Sequence, residues 1–292
     1  MTAFAYAKID AFTAGNSLGN PAACLYLQRG ERLSDADMLA IAKRHKGFVS
    51  EVVYCEDRAD GYFLTYYSSE CEVDFCGHGT IACMIGLIRR APALLHKKEI
   101  TIETHRKGAL TVYNRVPEQG SVLITAPAPI FLGTGVSAGT CAAALGLPAD
   151  AVGSDLPVEC IDAGLRTLIV PLRGLTTEVS VFPDEKALKE FCQEQGADIL
   201  LIFSAEAQQP GRLAHTRVFA PKFGYLEDPA TGSGNSAFGY YMLKHGLWDG
   251  SDCVLEQGGC DHVYNEVRLC VQNGAVLFGG GATVRIDGVY YV

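Results

Sequence analysis

Gly77-His78-Gly79-Thr80-Ile81-Ala82 and Gly232-Ser233-Gly234-Asn235-Ser236-Ala237 are two copies of one pattern, 155 positions apart in a chain of 292 residues. A Gly-x-Gly ahead of an apolar run predicts a helix start. The predicted helices run from about Gly79 to Arg90 and from about Ser233 to His245. A β-rich run precedes each copy, at Phe63-Leu64-Thr65 and Val218-Phe219-Ala220. The chain therefore reads as an internal duplication of strand, loop, Gly-x-Gly and helix in two similar domains. At a helix start several backbone N–H groups lack intrahelical partners, and the helix dipole adds partial positive charge there. Such a site binds anions, a carboxylate among them. Two of them facing each other across a cleft would hold a small acid at its centre.

Outward from these copies, local signals place the other elements. Strands are expected at Tyr6–Phe12, Ala22–Leu27, Ser50–Cys55 and Tyr62–Tyr67, with a meander at Glu99–Thr104, Leu110–Asn114 and Ser121–Ala126. Ser34, with Asp37 three residues on, predicts a capped helix to about His45. Ala126-Pro127-Ala128-Pro129 reads as an extended linker. Beyond it come a helix near Ser137–Leu145, strands near Val158–Asp162, Thr167–Pro171 and Glu178–Phe182, and a helix at Asp184–Gln195. Strands at Ile199–Phe203 and Ala214–Phe219 lead to the second Gly-x-Gly helix, and short strands close the chain. Asp287-Gly288 reads as a two-residue hairpin turn. The expected domains are 1–127 with a closing strand at about 282–292, and 128–281.

Composition sets outer limits. Hydrophobic residues make up 48% and charged residues 20%, the balance of a soluble globular protein. No stretch approaches the ~18 unbroken apolar residues that span a bilayer. The segment Met1–Lys8 does not read as a signal peptide. A net charge of −9 without a Lys/Arg cluster argues against a nucleic-acid partner. Eleven cysteines, an odd number, fit free thiols in the cytoplasm better than a disulfide scaffold. The spacings Cys71/Cys76 and Cys253/Cys260 are weak as zinc signatures, and no metal site is expected. A dinucleotide loop would need an apolar strand running straight into the first glycine. Here polar, turn-like residues precede it, Ser68–Glu72 and Gly224–Pro229.

The chain resembles the PhzF-like isomerase family, relatives of diaminopimelate epimerase and proline racemase. The residues that carry the resemblance are Asp10-Ala11-Phe12-Thr13, Gly19-Asn20-Pro21-Ala22, Ser50-Glu51, Cys76-Gly77-His78-Gly79, Glu227-Asp228-Pro229-Ala230-Thr231-Gly232-Ser233, Glu256-Gln257-Gly258 and Gly279-Gly280-Gly281. It implies an α+β fold of two pseudo-symmetric domains, each a β-barrel-like sheet around a central helix, with the active site between them. It implies proton relocation on a small carboxylate or amino-acid-like substrate, without metal or organic cofactor, and it leaves a homodimer open. Glu51 maps to the general acid/base, and His78, Asp228 and Ser233 to further site residues. Ser50, Gly77, Gly79, Thr231, Gly232 and Gly234 are the expected substrate-binding positions.

Physical chemistry suits these roles. A carboxylate in a closed cleft can have its pKa raised toward neutrality, which fits proton abstraction and return. His78 could be an electrophile or proton relay, because an unperturbed histidine titrates near physiological pH; Asp228 could orient an amine, and Ser233 offers a hydroxyl and a helix-start N–H. Each also has a structural reading: Glu51 as a solvated strand start, His78 and Ser233 as helix caps, Asp228 as a turn opener. Two departures stand out. The racemase relatives place a cysteine before Gly-x-Gly in each half, whereas this chain has Cys76 and Thr231. That pairing resembles the hydroxyproline dehydratase branch, and a helix start is expected to favour the Cys76 thiolate; as a structural residue, Cys76 would be a small apolar group packed under the helix. The second departure is Tyr264-Asn265-Glu266-Val267-Arg268, where many family members continue toward Arg-Pro-Ser. Besides the Glu51-based isomerase, a Cys76-dependent racemase, epimerase or dehydratase and a non-catalytic small-acid-binding protein remain open at this point.

Overall fold

The computed structural model describes residues 2–153, 155–259 and 263–292. The first half contains β1 (Ala3–Ala11), β2 (Asn20–Leu27), α1 (Asp35–Arg44), β3 (Glu51–Arg58), β4 (Gly61–Ser68), β5 (Glu72–Val73), α2 (Gly77–Arg90), α3 (Pro92–Leu95), β6 (Glu99–Thr104), β7 (Gly108–Arg115), α4 (Val116–Gln119) and β8 (Ser121–Thr125). The second half contains β9 (Ile130–Phe131), α5 (Ala138–Ala144), β10 (Glu159–Asp162), β11 (Arg166–Pro171), α6 (Leu175–Ser180), α7 (Glu185–Glu194), β12 (Ile199–Ser204), β13 (His215–Phe219), β14 (Glu227–Asp228), α8 (Gly232–Lys244), β15 (Cys253–Gln257), β16 (Asn265–Gln272) and β17 (Ala275–Tyr291). They form two compact units, Met1–Thr125 with Gly279–Val292, and Ala126–Phe278.

In the first unit the strands close a ring. β1 pairs antiparallel with β2, β2 parallel with β3, β3 antiparallel with β4, and β4 parallel with β6. β6 pairs antiparallel with β7 and β7 with β8, and β17 joins β8 back to β1. α2 touches β1, β2, β3 and β8, and every residue from Gly79 to Ile88 is buried. A helix apolar on all sides needs apolar surroundings on all sides, and the barrel supplies them. Outside it, α1 lays Met38, Ile41 and Ala42 against Leu25, Val52 and Tyr54. The predicted cap holds: Ser34 Oγ accepts from the Asp37 N–H at 3.1 Å, and the Asp37 carboxylate accepts from the Ser34 N–H at 3.4 Å.

The second unit repeats this pairing in order. From β10 to β16, through β11, β12, β13 and β15, the ladders run antiparallel, parallel, antiparallel, parallel, antiparallel. From β1 to β7 the sequence is the same. β14 edges β13 as β5 edges β4. α8 takes the place of α2, touching β10, β11, β12 and β16. The class is α+β, with strands wrapped round one central helix in each unit.

Two local expectations are overturned, along with the expected series of short closing strands. A strand is expected over residues 178–182, but α6 covers Leu175–Ser180. The Arg217 guanidinium donates to the carbonyls of Glu178, Val179 and Val181 at 2.9, 3.4 and 2.7 Å, which satisfies the end of a helix rather than a ladder. Asp287-Gly288 is not a turn: Asp287 faces Ala7 and Gly288 faces Tyr6 inside the β1–β17 ladder. The two-residue hairpin lies at Asn273-Gly274, between β16 and β17, where φ is +53° and +76°. A left-handed pair is what a type I′ turn requires. The chain therefore closes on β15, β16 and a single 17-residue β17.

Candidate active site

Glu51 opens β3, opposite Ser68 of β4 and beside Ala22 of β2. Ser50 precedes it, exposed at the turn into the strand. In the same unit Cys76 is the N-cap of α2, with φ −131° and ψ 106°, and Gly77, His78 and Gly79 form its first turn. Cys76 Sγ accepts from the Gly79 N–H at 3.3 Å. A Cβ on Gly79 would lie 2.8 Å from Val53 and 2.9 Å from Cys76 Sγ, so a larger residue would push the turn off β3.

The result is one group of three titratable side chains. His78 Nε2 lies 3.2 Å from Glu51 Oε2, and Cys76 Sγ lies 3.8 Å from the same oxygen. Cys76 Sγ is 3.5 Å from His78 Nδ1 and 3.7 Å from Nε2. Glu51 and His78 keep 20% and 14% of their side-chain surface, while Cys76 is buried. Among the described residues, these three side chains hold potential metal-donor atoms all within 4.8 Å of one another.

Electrostatics differ from expectation at Cys76. Burial pushes its thiol up, Glu51 adds to that, and the pull of His78 and the Gly79 N–H does not compensate. The expectation of a helix-start thiolate is therefore corrected: desolvation wins over the pull of His78 and of the Gly79 N–H. His78 moves the other way. Burial favours its neutral form, but Cys76 and Glu51 outweigh burial and hold the imidazole well above its ordinary value. In its charged form His78, at a helix start and beside a carboxylate, can hold a proton and attract an anion.

The second unit builds its helix start differently. Thr231 is the N-cap of α8, with φ −123° and ψ 107°, nearly the backbone of Cys76. Its hydroxyl donates to the Asp228 carboxylate instead of capping the helix. Gly232, Ser233 and Gly234 make the first turn, with Ser233 half-buried. A Cβ on Gly232 would collide with the Phe278 ring. Asp228 and Thr231 thus come together in this unit, as Glu51, Cys76 and His78 do in the other.

Gln257 anchors that turn, a role the sequence reading did not assign. Its side-chain oxygen accepts from the Thr231 N–H at 2.9 Å and from Asn235 Nδ2 at 2.6 Å. Its Nε2 donates to the Asp228 carbonyl at 2.9 Å and to Thr231 Oγ1 at 3.1 Å. Asn235 Nδ2 also donates to the Thr231 carbonyl at 2.9 Å. The available signal was Gln257 itself, a polar residue ending the β-rich run of β15. Arg217 completes the support by a two-pronged pairing with Glu227, at 2.9 and 2.7 Å.

A family model described as phenazine biosynthesis-like protein (PhzC–PhzF) matches residues 9–288. The chain is 29% identical over 255 residues to "Uncharacterized isomerase YfhB" of Bacillus subtilis, covering 86% of this chain and 85% of that one. A crystal structure of a PhzF-family phenazine biosynthesis protein from Bacillus anthracis superposes with a TM-score of 0.86 over 100% of both chains, at 23% identity. A probable proline racemase from Agrobacterium radiobacter, solved with bound carbonate, gives 0.66 over 99% of this chain and 92% of that one, at 13% identity. With the barrel, the central helix and the two Gly-x-Gly starts in place, the chain belongs to the phenazine biosynthesis-like family and to its isomerase class of enzymes.

Proposed function

We propose that the protein relocates a proton on a small carboxylate substrate without metal or organic cofactor, with Glu51 taking and returning the proton. The observation that carries this reading is the meeting of Glu51 Oε2 and His78 Nε2 at 3.2 Å on the first turn of α2. The helix-start N–H groups and a charged His78 attract the substrate carboxylate. The same positive field steadies the enolate-like charge that builds as the α-proton leaves. Glu51, partly open to solvent, is the base that faces the bound acid, and His78 can reload it.

Hydrogen exchange into candidate acids in heavy water tests this. Positioned acid–base groups contribute roughly 10²–10⁴-fold, so Glu51→Gln should lose about two orders of magnitude or more. Undiminished exchange in that variant removes Glu51 from the mechanism. Asp228→Asn and Ser233→Ala probe the second helix start as a carboxylate site, with a rise in KM expected at a nearly constant kcat.

The contact of Cys76 Sγ with both Glu51 and His78 favours a second reading, a thiol-dependent racemase, epimerase or dehydratase. On this reading Cys76 carries the proton and Glu51 tunes it. Loss of turnover on alkylation of Cys76 supports it, and full activity in Cys76→Ser rejects it.

A further inference from the structure

The three side chains gathered at the start of α2 have the donor set of a zinc centre, with one donor atom of each within 4.8 Å of the others. We propose that Glu51, Cys76 and His78 bind one Zn²⁺ ion, and that the bound ion switches off proton transfer at this site. The geometry carries the argument. In a tetrahedral zinc centre with one sulfur, one imidazole nitrogen and one carboxylate oxygen, ligand atoms stand about 3.3–3.6 Å apart. Here Nε2–Oε2 and Sγ–Oε2 are 3.2 and 3.8 Å, while Sγ stands 3.5 Å from Nδ1 and 3.7 Å from Nε2, so the imidazole ring must turn to aim one nitrogen lone pair at an ion shared with Sγ. Three ligands converge on one side and the partial exposure of Glu51 and His78 leaves a fourth position for water. One sulfur and one nitrogen donor select a borderline-soft ion over Mg²⁺ or Ca²⁺.

Charge balances as well. A thiolate and a carboxylate neutralise the dication, which a largely buried site requires. Binding sends the Cys76 proton, and the imidazolium proton of His78, to solvent. The dipole of α2 opposes a cation, but the two anionic ligands touch the metal directly while the dipole is a partial charge. Once bound, the ion occupies the lone pairs that Glu51 and His78 need for proton transfer.

Titration of the metal-free full chain with Co²⁺, a spectroscopic substitute for Zn²⁺, tests the site independently of any substrate. Expected are one equivalent bound, intense visible bands of tetrahedral cobalt, a thiolate-to-cobalt charge-transfer band, and displacement by Zn²⁺. Cys76→Ala should abolish the charge-transfer band, and Glu51→Gln and His78→Asn should each weaken binding about 100-fold or more. Cys71→Ala, which removes an exposed thiol, should change nothing. Circular dichroism of each variant verifies that it folds. Absence of stoichiometric binding in the unaltered chain overturns the proposal, as does a charge-transfer band that survives Cys76→Ala. The exchange assay separates this from the proposed reaction. Exchange that persists in chelator and stops with added Zn²⁺ supports both. Exchange abolished by chelator refutes cofactor-free catalysis and inhibition by the metal, and exchange indifferent to saturating Zn²⁺ refutes the inhibition.

Discussion

Glu178 Oε1 and His215 Nδ1 stand 3.0 Å apart in the second unit with neither side chain exposed. Burial lifts Glu178 well above the carboxylate range against the pull of Arg217, and burial with Arg217 lowers His215 to about 4. Both shifts favour the uncharged forms, a carboxylic acid beside a neutral imidazole, which together hold one proton. The raised Glu178 contributes stability below its unfolded value of about 4.3 and loses it as pH rises toward the folded one. The depressed His215 contributes stability above about 6.5 and loses it as pH falls through about 4. Between about pH 4.3 and 6.5 the unfolded pair also holds one proton, so the slope vanishes there. Stability measured by urea unfolding should be level through that window and fall on its alkaline side. A Glu178→Gln/His215→Gln double variant should lack that dependence. Nothing in the spacing of Glu178 and His215 announces this pair, and the same holds for Glu51 and Cys76, which are 25 positions apart. Those contacts depend on which strands are neighbours, and only family resemblance singled out Glu51. His78 and the two glycine turns were legible because their chemistry is contained in a few consecutive residues.

At the scale of elements, legibility follows where the hydrogen bonds go. The α1 cap and both central helices answer to neighbours three or four residues away, and the strand runs show in their local β-rich composition. α6 does not, because its carbonyls are satisfied by Arg217, up to 39 positions on. Asp287-Gly288 failed as a turn for the same kind of reason, since β1 pairs straight across it. The seam between β8 and β17 depends on one small residue. A Cβ at Gly279 would fall on the Val122 carbonyl and 2.7 Å from Leu123 Cα, both backbone atoms with little room to move. Gly279→Ala should cost about 3 kcal/mol, read as a lowered urea midpoint. Gly288→Ala, whose Cβ meets nothing within 4 Å, should stay within about 0.5 kcal/mol of the parent.

For the molecule as a whole, β17 is the strand on which the first barrel closes, running from the second unit into the first at Gly279. Removing residues 279–292 takes every β17 partner off β1 and leaves that strand with an open edge. Open edges invite pairing with other chains. The truncated chain should aggregate on size-exclusion chromatography and lose protease resistance in residues 2–125. The duplication that the glycine copies announced extends to the order and direction of the ladders, which no local pattern encodes. It has an evolutionary corollary in the matched caps of α2 and α8. Because residues 76 and 231 share nearly one backbone conformation, each is a socket that can exchange sulfur for oxygen while the scaffold beneath stays intact. A doubled fold of this kind can therefore vary the side chain at either position without redirecting its backbone.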